Sequence, residues 1–146
     1  MTSLPSRSVV PLFHVEPKLV FIPAWEIDDR WADVAPHLAR PLARQSAMTL
    51  ESLQASLLRG EMLLWEIPGK AAFVTQLQQF PAERICVIIL CGGDGLREWQ
   101  DAAWRGLTRY ARKAGCSCLQ IVGRRGWTRA VPEFQPTGEV ILRAPL

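Results

Sequence analysis

An α/β domain with a mixed sheet is the fold class this chain predicts, and three observations carry it. Arg84–Cys91 (RICVIILC) is an almost unbroken apolar run, as a strand buried on both faces requires. A glycine-rich turn leads from it into Leu96–Ala114, where apolar residues recur at helical spacing. After Gly60 the apolar period changes from helical to strand-like.

The 146 residues are 49% hydrophobic and 21% charged, with a formal net charge of +3. That length favours one domain with a real core, and the apolar fraction excludes a disordered chain. No apolar stretch approaches the ~20 residues of a membrane helix. Val9–Phe13, broken by Pro11, is too short for a signal peptide. The charge excess alone does not indicate nucleic acid. Six Trp against one Tyr, together with 11 Pro, hint at apolar surface that serves a partner as well as the core. Cys86, Cys91, Cys116 and Cys118 read as reduced thiols, and Cys116-x-Cys118 is too tight for a zinc knuckle. No metal is expected.

In chain order, residues 1–17 show no helical or strand period and read as an extended N-terminal arm, with Pro5, Pro11, Pro17 and Pro23 six apart. The domain proper is assigned to residues 18–146. Lys18–Pro23 is a short buried strand. Asp28 or Asp29 caps a helix carrying Trp31, Val34, His37, Leu38 and Leu42, which Pro36 and Pro41 are expected to break or kink. Thr49 caps a second helix, Leu50–Arg59, and Gly60 takes the left-handed position after it. Met62–Ile67, the turn Pro68–Lys70, Ala71–Phe80 and Arg84–Cys91 form a meander. Leu96–Ala114 buries Leu96, Trp99, Ala103, Leu107, Tyr110 and Ala114, with acids early and bases late to suit the helix dipole. Cys116–Val122 is a strand, Arg124–Phe134 a short helix interrupted by Pro132, and Glu139–Arg143 a last strand. The order is β-α-α-β-β-β-α-β-α-β. Trp65 and Trp99 look like core, whereas Trp25, Trp31 and Trp104 suit an edge or interface.

This order, with CGGDG before the long helix, YARKAGC at its end and GRRGW after the next strand, resembles the GNAT acyltransferase superfamily over roughly residues 18–143. More narrowly it looks like the small GNAT-like proteins of tailed bacteriophages. The resemblance implies that Gly92, Gly93, Gly95 and Leu96 present backbone N–H groups to the pyrophosphate of acetyl-CoA, for which a helix start is physically suited. The sequence departs from the family pattern: no Arg or Gln precedes the glycines, and Asp94 adds negative charge. The competing reading is a tight strand-to-helix turn.

The family often uses a tyrosine on the helix after the fifth strand to protonate the leaving thiolate. Tyr110 lies on the long helix instead, and Trp127, Thr128 and Glu133 offer no suitable acid. Glu66 and Glu83 are the candidate bases on or beside the meander, while His14 and His37 read as surface or packing residues. No catalytic residue is assigned. Arg124, Arg125 and Arg129 surround Trp127, a cluster suited to a CoA phosphate or an acidic partner, with nucleic-acid stacking the weaker use. Its competing reading is a solvated helix face with Trp127 packed inside.

The resemblance and the eroded site together imply a phage virion-associated or assembly protein. It would use the fold as an interaction module, without cofactor, its arm and exposed Trp and Arg contacting other virion proteins or a second copy. The host cytoplasm and the virion are the expected locations. The alternative is an acetyl-CoA-dependent N-acetyltransferase acting on a host or phage amine.

Overall fold

A computed structural model describes residues 16–45, 47–123 and 125–146. Apart from Glu16 and Pro17, the expected N-terminal arm lies outside the described residues. Five strands form one sheet in sequential order, β1 (Val20–Ile22), β2 (Leu63–Ile67), β3 (Ala71–Gln79), β4 (Arg84–Gly93) and β5 (Cys118–Ile121). The first four are antiparallel and β5 runs parallel to β4. The parallel step needs a crossover, which is supplied by α3 (Leu96–Lys113). A 3-10 turn, Ala24–Glu26, leads into α1 (Ile27–Leu42), followed by α2 (Leu50–Leu58), and α4 is one turn, Trp127–Ala130.

Strand alternation divides the core between the two sheet faces. Ile22, Leu64, Ala72, Val74 and Leu90 pack with Val34, Leu38, Leu42, Leu53 and Leu57 of α1 and α2. Trp65, Ile67, Ala71, Phe73 and Ile88 face Trp99, Ala103 and Leu107 of α3 on the other side. The Trp65 indole donates to Thr75 Oγ1 at 2.9 Å, so the one polar atom it buries is satisfied.

Local signals account for most boundaries. Thr49 and Ser52 form a reciprocal capping box at the start of α2. Gly60 and Gly115 hold φ of 76° and 80° after α2 and α3. Arg84 donates to the Ala114 carbonyl at 2.6 Å, closing the C-terminal end of α3 with a cation.

Five expectations need correction. The strand expected to be buried over Lys18–Pro23 covers only Val20–Ile22, and of these only Ile22 is buried, because β1 is an edge strand. The first helix begins at Ile27, so Asp28 and Asp29 occupy its first turn rather than the cap. It also runs through Pro36 and Pro41 without a break. Proline at position 41 deprives the His37 carbonyl of its helical donor. That carbonyl instead occupies the space where a side chain on Gly92 would stand, so α1 lies directly on β4. The helix expected over Arg124–Phe134 shrinks to Trp127–Ala130. Pro132 forces Val131 into extended backbone, φ −131° and ψ 94°. Finally, Glu139–Arg143 forms no strand, because no strand of the described chain pairs with it.

Candidate functional site

Parallel pairing of β4 and β5 stops at Ile88 and Ile121, while β4 continues to Gly93. At the same point β4 bulges away from β3: Val74 pairs with Leu90 and Thr75 with Ile88, leaving Ile89 as the extra residue. A bulge takes the extra residue's backbone groups out of the ladder. Sequence reasoning missed this feature, since no residue in RICVIILC marks it.

The crevice beyond this parting is apolar. It is lined by Ile88, Cys91, Leu96, Trp99, Gln100, Ile121 and Trp127, among others, and leaves about 30 Å3. Burial pushes the Cys91 thiol up to about 12, so it is neutral there. The Gln100 side-chain oxygen is buried and accepts no hydrogen bond from the described residues. Such an orphan costs about 1–3 kcal/mol.

The four residues expected to hold a pyrophosphate divide into two pairs. Gly92 and Gly93 lie within β4, opposite Ala72 and Ala71. A Cβ on Gly92 would meet the His37 carbonyl, and one on Gly93 would meet the Lys70 carbonyl and Ala71. Packing alone therefore demands both glycines. Gly95, at φ 69°, is the N-cap of α3, and Leu96 opens the helix. No side chain caps that end. Charges crowd it, however. Lys70 donates to Glu98 at 2.8 Å, Arg40 lies 3.4 Å from the Asp94 carboxylate, and the Trp99 indole holds the Asp94 carbonyl at 2.7 Å.

The proposed bases lie elsewhere. Glu66 is buried at 3% exposure and accepts two hydrogen bonds from Arg30, at 3.1 and 2.6 Å. The pair raises the Arg30 pKa, chiefly through that hydrogen bond. A carboxylate held this way is not a free base. Glu83, in the turn before β4, sits at the end opposite Gly92–Leu96, with Ser117 donating to it at 2.5 Å. Tyr110 packs edge-on against Trp65 at 4.9 Å, and desolvation raises its pKa. His37 lies half-buried within α1, and His14 lies outside the described residues.

In the basic cluster, Arg125 and Arg129 are exposed, and Arg124 lies outside the described residues. Trp127 is half-buried with its indole resting on Gly123, so it packs into the crevice rather than standing on the surface. Thr128 donates to the Arg125 carbonyl at 2.8 Å, and Glu133 is exposed. Of the tryptophans, Trp65 and Trp99 are core, Trp31 and Trp104 are half-buried, and Trp25 is 82% exposed. All four cysteines are free thiols. No metal-binding cluster occurs among the described residues, nor is any described helix long and apolar enough to cross a membrane.

No protein-family model matches the chain, and no curated protein sequence does. Solved structures do. A probable acetyltransferase superposes with a TM-score of 0.66 at 11% identity, over 88% of this chain and 98% of that one. An aminoglycoside acetyltransferase from an uncultured soil metagenomic sample, solved with sisomicin, gives 0.60 at 10% identity, over 90% and 95%. A GNAT-family acetyltransferase of Staphylococcus aureus gives 0.56 at 8% identity, over 90% and 97%. Nothing among these matches links the chain to bacteriophage proteins. The sheet order, the parted strands and these superpositions agree: the chain has the fold of the GNAT acetyltransferases.

Proposed function

We propose that this protein is an acetyl-CoA-dependent N-acetyltransferase. One observation carries the reading: β4 leaves β5 at the residue where it also bulges out of the β3 ladder. The bulge frees backbone groups at Ile89, in the stretch of β4 between the crevice-lining Ile88 and Cys91. Beside a water-poor crevice a fixed N–H is worth most to a carbonyl gaining negative charge. The orphaned Gln100 oxygen fits the group, because pantetheine carries amide N–H donors and no described residue donates to that oxygen. The amides at Gly95 and Leu96 suit a pyrophosphate, with Arg40 and Lys70 released from Asp94 and Glu98 to pair with it. Bound acetyl-CoA supplies a thioester carbonyl to an attacking amine. The described residues around the crevice bind and orient, and none is assigned as acid or base.

Entry requires Trp127 to swing off Gly123, since the crevice is otherwise full. Helix α4, a single turn ended by Pro132, is the element that would carry it. The interaction-module reading draws on the exposed Trp25 and on the acids at the start of α3.

Calorimetric titration with acetyl-CoA separates the two. The enzyme reading expects micromolar binding. Gln100→Leu should weaken it while raising the melting temperature, because the orphan acceptor is removed. Glu98→Gln should strengthen it, most at low salt. Absence of binding at millimolar acetyl-CoA overturns the proposal.

A further inference from the structure

Three of the four cysteines gather at one end of the sheet. Cys86 lies on β4, Cys118 opens β5, and Cys116 follows the turn that joins α3 to β5. Cys86 is fully buried. Burial, and after it the neighbouring Cys116 and Cys118, push its thiol up to about 12, so it stays protonated and inert. Cys118 is exposed and Cys116 half-buried. Both line an open hollow of about 230 Å3, beside Thr108, Arg112 and Phe134. The chain between them favours closure. Two fully extended residues span about 7 Å, just beyond the usual Cα separation across a disulfide, about 4.4–6.8 Å. The chain bends at Ser117, which shortens that span. The Ser117 N–H donates to the Arg84 carbonyl and the Cys116 N–H to the Ala111 carbonyl, each at 2.9 Å, so the bend is held from both β4 and α3. Burial raises the Cys116 thiol and Arg84 partly offsets this, while Arg112 adds positive charge to the hollow.

We infer that Cys116 and Cys118 are a reversible redox site, which hydroperoxides convert to an intrachain disulfide. The exposed Cys118 thiolate attacks a peroxide oxygen, the O–O bond breaks, and the other oxygen leaves with a proton as an alcohol or water. Cys116 then attacks the sulfenic acid so formed: the S–S bond forms, the S–O bond breaks and water leaves. Two thiols and one hydroperoxide thus give one disulfide, one alcohol and one water. Each sulfur loses one electron and the peroxide takes up both. A bond that encloses a single residue removes little entropy from the unfolded chain, and exposed disulfides are the labile ones. The bond is therefore a switch rather than a staple. Two equivalents of a small thiol reopen it and leave as their own disulfide.

Peptide mapping tests this. Cleavage after Lys113 and Arg124 releases Cys116 and Cys118 on one peptide, and cleavage after Arg84 and Arg97 releases Cys86 and Cys91 on another. The reduced full chain is treated with hydrogen peroxide, and remaining thiols are blocked with iodoacetamide in denaturant before cleavage. The first peptide should escape alkylation and weigh two hydrogens less than its dithiol, while the second takes a label on both cysteines. Reduced glutathione, added before blocking, should restore alkylation of the first. Cys116→Ser should stop at a sulfenic acid on Cys118, which dimedone traps. Cys118→Ser should slow oxidation at Cys116 about tenfold or more, because the exposed thiol is gone. An unoxidised pair, oxidation that begins in the Cys86–Cys91 peptide, or a disulfide between two chains overturns the inference. So does a Cys118 that passes to the sulfinic acid without closing on Cys116.

Discussion

Among the described residues, Arg30 and Glu66 form the tightest ion pair, at 2.6 Å. Arg30 also reaches Asp33 at 2.9 Å, so one guanidinium serves two carboxylates and ties α1 to β2. Arg30→Ala would leave Glu66 enclosed without its partner. The expected loss is about 2–3 kcal/mol, below that of a fully enclosed pair because 35% of the Arg30 side chain faces water. Urea unfolding measures it, and Arg30→Leu combined with Glu66→Leu should recover most of the loss. The thiols give a second residue-scale expectation. Burial pushes Cys86 and Cys91 up to about 12, above the ordinary thiol range. Above pH ~9 the unfolded chain therefore ionises thiols that the folded chain keeps protonated. Stability is fully present below that pH and falls as pH rises toward the folded-state values, with Tyr110 acting in the same direction. Unfolding at pH 8 and pH 10 should show the fall, and Cys91→Ala should reduce it.

At the scale of elements, the contact between α1 and β4 turns on Gly92. Gly92→Ala drives a methyl into the His37 carbonyl and against the Pro41 ring, and should cost ~3 kcal/mol through overpacking. Thermal melting checks this, and Gly126→Ala, where the added methyl meets nothing, is the control. The same glycine shows what a sequence can reveal. Strands β2 to β4, helix α3 and the Thr49 cap were legible because their signals are local: apolar period, turn residues and capping chemistry. The family resemblance places Gly92 in a phosphate loop, a role that its packing neither requires nor excludes. The packing constraint on it comes from His37, in an element far away in sequence. Glu66 looked like a free carboxylate for the same reason, its partner lying 36 residues away. The Ile89 bulge left no trace, since β-branched and apolar residues suit a bulged and a regular strand alike. The strand expected over Glu139–Arg143 is absent, because strand propensity without a pairing edge makes no strand within this chain.

For the whole molecule, the five-stranded sheet is a partition. One core belongs to α1 and α2, the other to α3, and they meet only through the strands. The α3 side holds the narrow crevice, the half-buried Trp127 and the single-turn α4, while the α1 side holds the Arg30–Glu66 tie and the Gly92 contact. Loosening α4 disturbs few of the contacts on the opposite face. Hydrogen exchange should accordingly show Trp127–Val131 exchanging fastest among the helical amides, with α1 and β3 exchanging only on global unfolding. Equal protection on both faces would contradict this. The back-to-back arrangement thus has a kinetic meaning: the molecule can breathe on one side, at the rate of a single helical turn, while the other side keeps the fold's memory intact.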